Sequence, residues 1–269
     1  MTQPLGVLAA FVRRDFATLR SYRVAYLLEI TGAILEIALF FYLSRLVDAS
    51  NALGGQLRGG YFPFVIIGVT LFALAQTAFR AFPIRLRQEQ TLGTLEVLLA
   101  SPASPRLILC GVGAYDLVRA LVLAVVSLLL ALALFRLELD VTPLSLLAAV
   151  AGTLGATALF AAAGVLLAAF GILYKQVTGV IGLTGTLIGL LAGVYFPIAL
   201  LPAPVEQVAA ALPFTWALDL IRGGLIFGEV DALRLVGVVA SGVVGLLVAF
   251  RVFDLSIDHA RRRGSLGQY

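Results

Sequence analysis

The feature that most constrains this chain is a run of residues from 144 to 174 that contains no charged side chain. A helix that crosses a bilayer needs about 20 mostly apolar residues, and this run is longer. As a helix it would extend roughly 46 Å, so it must tilt or protrude from the hydrocarbon region. The run is typical of a membrane-spanning helix and unlike any segment of a soluble domain.

The rest of the chain has the same character. Hydrophobic residues make up 61% of its 269 residues and charged residues 13%, whereas soluble proteins carry roughly 25% charged residues. We therefore predict an all-α polytopic membrane protein with six transmembrane helices. The predicted spans are residues 24–44, 61–79, 107–135, 144–174, 176–201 and 235–253.

Rare residue types limit the chemistry. The single cysteine, Cys110, and the single histidine, His259, leave no internal disulfide, thiolate metal cluster or histidine cluster. The single lysine, Lys175, is followed by glutamine, so the chain has no phosphate-binding Gly-Lys-Ser/Thr loop. We expect no catalytic residue, metal or cofactor in this chain, and any ATP and magnesium would be bound by a partner subunit.

Basic residues predict the orientation. Arginines are concentrated before the first span, between the second and third, and after the sixth. Because cytoplasmic loops carry this excess, both termini are predicted to face the cytoplasm, in the inner membrane of a bacterium or archaeon. The tail arginines are expected to contact anionic lipid rather than nucleic acid. Residues 1–23 are predicted to form an amphipathic helix in the membrane interface, with an unordered tail as the alternative.

Residues 83–105 combine leucines at helical spacing with charged residues, and Gly93 predicts a break between two short helical pieces. One interpretation is a helix that rests on lipid headgroups, and the other is a docking surface for a cytoplasmic partner. Anionic headgroups would favour basic residues, so the acidic residues favour docking. The candidate docking residues are Glu89, Leu92, Gly93, Thr94, Leu95, Glu96 and Leu99.

Four ionisable residues interrupt the predicted spans: Glu29, Glu36, Asp116 and Arg119. Such groups are costly in a bilayer and usually face a partner or a cavity. Counted along the helices, Glu36 and Arg119 lie at similar depth, and Asp116 is three residues from Arg119. We predict that Arg119 pairs with Glu36 or Asp116. A polar lining for a transport route and proton coupling are the alternatives.

Two motifs resemble those of ABC transporter type 2 permeases. The first is Glu89, Gly93-Thr94-Leu95-Glu96, Leu99 and Ser101-Pro102, which is similar to the family's E-x3-G-T-L-E-x2-L-x-[ST]-P signature. The second is looser and comprises Gly193-Val194-Tyr195-Phe196-Pro197, Leu201-Pro202, Leu212-Pro213-Phe214-Thr215 and Arg222-Gly223. Together with the layout of the spans, the resemblance covers nearly the whole chain.

The resemblance implies one domain over residues 1–269, working as the permease half of an ATP-driven exporter. Two permeases, identical or related, would pair above two ABC ATPase subunits. Residues 83–105 would be the coupling element, and residues 202–230 would form re-entrant helices on the outer side, since this segment is too rich in proline for a span. The implied outer gate comprises Tyr195, Phe196, Pro197, Phe214, Trp216, Asp219 and Arg222.

Details of this outer segment and of the substrate stay open. Asp219 and Arg222 are three residues apart, which predicts a local pair or a contact with a substrate head group. Phe214 and Trp216 suit a membrane interface. A drug, a lipid or a lipid-linked glycan fits an apolar route equally well. The alternatives to an exporter are a non-transporting assembly subunit and an intramembrane enzyme that modifies lipid, which would need acid–base groups at membrane depth.

Overall fold

The computed structural model describes residues 6, 10, 11, 13, 14, 23–50, 57, 59–137, 139–174 and 178–263. Within these ranges all regular structure is helical, as the composition predicts. The helices are α1 (Arg23–Ser50), α2 (Tyr61–Thr91), α3 (Thr94–Ala100), α4 (Pro105–Phe135), α5 (Pro143–Tyr174), α6 (Thr178–Leu191), α7 (Ala203–Ala211), α8 (Pro213–Phe227) and α9 (Ala232–Arg263).

Five of these helices, α1, α2, α4, α5 and α9, are long and apolar enough to cross a membrane. The predicted all-α polytopic fold is thereby confirmed. A sixth crossing would require α7 and α8 together, which are bent by 78° at the break between them. Two short helices with such a bend have the geometry expected of a re-entrant segment.

The predicted fifth span, residues 176–201, is wrong as one continuous helix. Helix α6 has 14 residues, which is too short to cross a bilayer alone. It ends at Leu191, and the chain then turns through Gly193, whose φ is +75°. An apolar run hides this turn, because hydropathy does not distinguish a helix from an equally apolar bend.

Helices α2 and α5 form the centre of the bundle. Helix α5 packs between α2 and α9, while α8 packs against α5 and α9, and α1 lies outside on α2 and α4. At Gly164 of α5, a Cβ atom would lie 2.5 Å from the carbonyl oxygen of Phe79 on α2. Small residues allow this close approach of two membrane helices. The outer faces of α1, α4 and α9 are apolar and exposed, as expected for lipid or a second subunit.

Polar contacts fasten both ends of the bundle. At the end that carries α3, the Arg106 Nε at the start of α4 donates to Asp254 of α9 over 2.6 Å. At the opposite end, the Tyr61 amide that begins α2 donates to Asp48 of α1 over 3.3 Å. These two ends are called the α3 end and the opposite end below.

Candidate functional site

The break between α2 and α3 lies at the predicted coupling segment. Helix α2 continues through Pro83 to Thr91, well beyond the predicted end of the second span. Gly93 then adopts φ +71°, the left-handed region, and α3 begins at Thr94. Glycine is the residue that tolerates this backbone without strain. The predicted break at Gly93 is thus confirmed.

Glu89 holds this break to the N-terminal helical residues. Its buried carboxylate accepts a hydrogen bond from the Arg14 Nη1 over 3.1 Å and another from the Thr94 hydroxyl. Thr94 also donates to the Glu89 carbonyl over 3.2 Å. The sequence leaves two roles open for Glu89, namely contact with basic groups of an ATPase and attachment of the segment to the N-terminal helix. The structure shows the attachment, through Arg14, and the contact with an ATPase stays a prediction.

Phe11 provides the apolar part of the same attachment. Its ring is buried against Ile108 and Val112 in the first turns of α4, and it contacts the backbone at Gly111. Residues 6, 10, 11, 13 and 14 are helical, as predicted, and the remainder of residues 1–23 lies outside the described residues except for Arg23. The amphipathic N-terminal helix therefore packs on α4 at the α3 end.

Two apolar side chains at the break face outward. Leu92 is 73% exposed and Val97 72% exposed, whereas Leu95 is only 3% exposed. Leu95 therefore packs into the bundle, and its predicted role as an anchor for a partner is wrong. Val97 lies outside the leucine spacing, so the pattern of leucines does not indicate it. The side chains of Glu96 and Leu99 lie outside the described part of the chain, so their roles stay predictions.

Arg119 pairs with Glu29. The guanidinium Nε and Nη2 donate to the two carboxylate oxygens over 3.0 and 2.5 Å, and the guanidinium also lies 5.4 Å from the centre of the Tyr26 ring. The predicted partners, Glu36 and Asp116, are both wrong. A count of residues along each helix gives depth, but not the rotation of α1 and α4 that turns Glu29 toward Arg119.

Asp116 pairs with Arg85, a residue predicted to lie in the segment between the second and third spans. Arg85 donates from Nε and Nη2 to the two oxygens of Asp116 over 2.6 and 2.7 Å. Because α2 continues past residue 79, Arg85 lies on a helix that packs against α4 rather than in the connecting segment. The amphipathic pattern around residue 85 was the available signal for this longer helix.

All four predicted intramembrane residues line one cavity between α1, α2 and α4. A chamber of about 190 Å³ is bordered by Glu29, Glu36, Asp116 and Arg119. It adjoins a wider space of about 480 Å³ that reaches Gln76 and Tyr195. Glu29 and Asp116 are neutralised by Arg119 and Arg85, whereas Glu36 has no hydrogen bond or ion pair within the described part of the bundle. The cavity is therefore polar, with one uncompensated carboxylate.

Arg222 of α8 is buried, with 6% of its surface exposed. Its Nε donates to the carbonyl oxygen of Phe64 on α2 over 3.0 Å, and its Nη2 to that of Val194, just beyond α6, over 3.1 Å. The guanidinium also lies 3.5 Å from the centre of the Phe64 ring. Arg222 thus joins α8, α2 and the turn after α6.

The predicted ion pair between Asp219 and Arg222 is wrong. Asp219 instead accepts a hydrogen bond from Arg234 of α9 over 2.8 Å. Two residues three apart on a helix are neighbours in position, but Arg222 is directed inward and bonds backbone carbonyls. The available signal for the partners of Arg222 was the turn at Gly193, because carbonyl groups in a turn lack helical partners and can accept hydrogen bonds from a guanidinium.

The remaining gate candidates lie in or beside the turn after α6. Tyr195, Phe196 and Pro197 follow it directly and are half-buried, and the Tyr61 hydroxyl donates to the Tyr195 carbonyl over 3.1 Å. Phe214 is buried against Phe160, with ring centres 4.8 Å apart, so the interfacial position expected for Phe214 is not found. The Trp216 indole N–H donates to the Ala210 carbonyl over 2.7 Å and ties α8 to α7.

These features define a class: a polytopic helical membrane protein with a polar cavity between its helices and, at one end, a short helix (α3) with an exposed apolar side chain. A family model described as ABC-2 type transporter matches residues 7–226. The chain belongs to the ABC-2 type transporter membrane family, and the resemblance drawn from its motifs is confirmed. No curated protein matches the chain. Members of this family are permease components of ABC transporters, so the chain is a transporter subunit rather than a catalytic one.

Proposed function

We propose that this chain is the membrane permease subunit of an ATP-driven exporter that moves a hydrophobic or amphipathic substrate out of the cytoplasm. ATP and magnesium are bound and ATP is hydrolysed on a separate ABC ATPase subunit. The observation that carries the proposal is the exposed apolar pair Leu92 and Val97 at the break between α2 and α3, in a chain that belongs to a transporter family. Exposed apolar residues beside buried neighbours are typical of a protein interface.

The break between α2 and α3 is connected to the rest of the bundle on both sides, so a movement there is transmitted to the other helices. On one side α2 runs without interruption from Thr91 to Tyr61, past the polar cavity to the opposite end. On the other side α3 is linked by its buried Leu95 to the core, and Glu89 links the same corner to the N-terminal helix. A force on Leu92 and Val97 therefore acts on α2 and on the helices that enclose the cavity.

The assembly that follows has two permeases and two ATPase subunits. The second permease, identical or related, covers part of the apolar outer face of the bundle, and membrane lipid covers the rest. The α3 end and both termini face the cytoplasm of a bacterium or archaeon, where ATP is available. The polar cavity favours a transporting role over a purely structural assembly subunit, since a scaffold has no need of uncompensated charge at membrane depth.

The coupling surface is tested by charge insertion. Leu92→Glu and Val97→Glu place a carboxylate on the apolar pair, and each is expected to reduce co-purification of the ABC ATPase with the tagged permease at least about tenfold. Leu233→Glu is the matched control, because Leu233 is equally exposed but lies in the first turn of α9 at the opposite end. It should leave the association unchanged.

The same samples report on transport. Wild-type complex and the Leu233→Glu complex should hydrolyse ATP, with hydrolysis stimulated by a transported amphiphile, whereas the two coupling variants should lose this stimulation. Normal assembly and stimulated hydrolysis in both Leu92→Glu and Val97→Glu would refute the assigned coupling surface. If the complex assembles but no amphiphile stimulates its ATP hydrolysis, the alternative of a non-transporting assembly subunit is favoured.

A further inference from the structure

Glu36 lies at the level of the middle of α2. The Tyr61 amide bonds Asp48, so the starting point of α2 and Asp48 of α1 are at equal depth. The two helices are antiparallel. Counting twelve residues from Tyr61 along α2 and twelve back from Asp48 along α1 reaches Ala73 and Glu36, so both lie roughly 18 Å from the opposite end. Ala73 and Glu36 border the same cavity, which agrees with this count. Glu36 is therefore far from both ends of the bundle.

The positive charges near this level are already compensated or lie elsewhere. Arg119 binds Glu29 and Arg85 binds Asp116. Arg80 also borders the wider space, but it is seven residues beyond Ala73, about 10 Å nearer the α3 end. Among the described residues at this level, Glu36 is thus the carboxylate without a paired cation, and a carboxylate at membrane depth without a partner is costly unless a cation binds there.

Glu36 is exposed on α1 and borders a space whose polar lining includes Gln76, Thr77 and Arg80 and whose apolar lining includes two aromatic rings. Phe72 and Tyr195 border the same space, with ring centres 6.5 Å apart, and Tyr195 is close enough to Glu36 to interact with it electrostatically. A carboxylate beside aromatic faces is the arrangement that binds organic cations.

We propose that this space binds the cationic head of an amphiphilic substrate, with Glu36 as its counter-ion and Phe72 and Tyr195 as its aromatic walls. The wider space of about 480 Å³ is within the range of small-molecule sites, and the apolar part of the ligand extends toward lipid or a second permease. This assignment rests on the proposed function and gives its substrate class as organic cations.

The test is direct binding to the purified full-length chain in phosphatidylcholine nanodiscs, without ATPase. The probes are tetraphenylphosphonium and tetraphenylborate, which have nearly the same shape and opposite charge. The wild-type chain should bind the cation and not the anion above the background of empty nanodiscs. Equal binding of the two ions, or binding of neither, would overturn the proposal.

Variants assign the site. Glu36→Gln keeps the size of the side chain and removes its charge, so it should weaken tetraphenylphosphonium binding at least about tenfold. Glu206→Gln, on α7 and away from the cavity, is the matched control and should change it less than about twofold. Tyr195→Leu should weaken binding about three- to tenfold, while Tyr195→Phe retains the ring and the affinity. An affinity unchanged by both Glu36→Gln and Tyr195→Leu refutes the assignment.

Two further outcomes separate this proposal from others. If Glu36→Gln leaves cation binding unaltered but lowers the mass of the permease assembly, Glu36 belongs to a subunit interface and the cation site is refuted. If the chain binds the cation through Glu36 but no ABC ATPase assembles through Leu92 and Val97, the site stands and the exporter function fails. If the ATPase assembles and is stimulated by neutral amphiphiles alone, the function stands and the cation site fails.

Discussion

At the residue scale, Arg222 illustrates how a guanidinium can be held in an apolar bundle by backbone carbonyls. The carbonyl groups of Phe64 and Val194 accept its two hydrogen bonds. Gly68 makes room for it: a Cβ atom there would meet the guanidinium and would lie 2.6 Å from the Val194 oxygen. The side chain and the glycine therefore form one joint between α8, α2 and the turn after α6.

We expect Arg222→Lys to destabilise the protein strongly. Lysine keeps the charge, but its ammonium group lacks the planar fork that bonds both carbonyls. The loss should be about 1.5–3 kcal/mol, the range for a hydrogen bond to a charged group, and it is measured by thermal unfolding in one detergent. Arg234→Lys is the control, because its pair with Asp219 is far more exposed, and it should cost less than about 1 kcal/mol. Equal losses would show that the two carbonyl bonds contribute little.

The Arg119–Glu29 pair gives a second prediction. In a double-mutant cycle, Arg119→Ala and Glu29→Ala should show a coupling free energy of about 1 kcal/mol, typical of polar contacts between membrane helices. The cycle with Arg119→Ala and Glu36→Ala is the control and should be additive, because Arg119 bonds Glu29 and no hydrogen bond or ion pair joins it to Glu36 among the described residues. Coupling in the second cycle and additivity in the first would contradict the structure.

The sequence alone predicts that these four charged residues lie at similar depth in the bundle, but it does not predict which of them pair. Depth follows from counting 1.5 Å per residue along each helix, so the grouping of Glu29, Glu36, Asp116 and Arg119 was predictable. Partner choice depends on how each helix is rotated about its own axis, which packing sets. The same limit explains Asp219 and Arg222, whose spacing along the chain does not reveal that they bond different partners.

At the element scale, the sequence identified the breaks that glycine and charge mark and missed those inside apolar runs. Gly93 stands in a polar, amphipathic segment, so its break was predictable. The end of α6 at Leu191 lies within uninterrupted apolar sequence, so hydropathy gives no sign that the helix ends there. Pro83 lies inside α2 rather than at its end, and Arg85, two residues beyond it, still bonds Asp116 of α4.

Gly93 offers a test of the break itself. Gly93→Ala should destabilise the protein by about 1–2 kcal/mol, because an alanine at φ +71° is strained, although a Cβ atom there would meet no other atom. Gly182→Ala is the matched control, since Gly182 also has open space but lies within α6, where alanine is favoured. Thermal unfolding of the two variants is the measurement. Equal stability of both would show that the left-handed backbone at Gly93 is not required.

At the scale of the whole molecule, the orientation in the membrane is predicted from the distribution of basic residues and can be measured. In a Cys110→Ala background, Ser101→Cys marks the α3 end and Leu233→Cys the opposite end, and both positions are exposed. A membrane-impermeant maleimide added to intact cells should label position 233 but reach position 101 only after permeabilisation, because the basic segments remain in the cytoplasm. Labelling of position 101 alone in intact cells would reverse the orientation.

The unbroken helix α2 gives the molecule the mechanics of a lever. Its 31 residues extend roughly 46 Å, and at Phe79 its backbone passes close to Gly164 of α5. With the pivot at Phe79, the arm toward Thr91 is about 18 Å and the arm toward Tyr61 about 27 Å. A displacement of about 2 Å at the coupling break would then swing Tyr61 by about 3 Å in the opposite sense. The longer arm runs toward the opposite end of the bundle, which the proposed orientation places on the outer side of the membrane, so the stroke is amplified there.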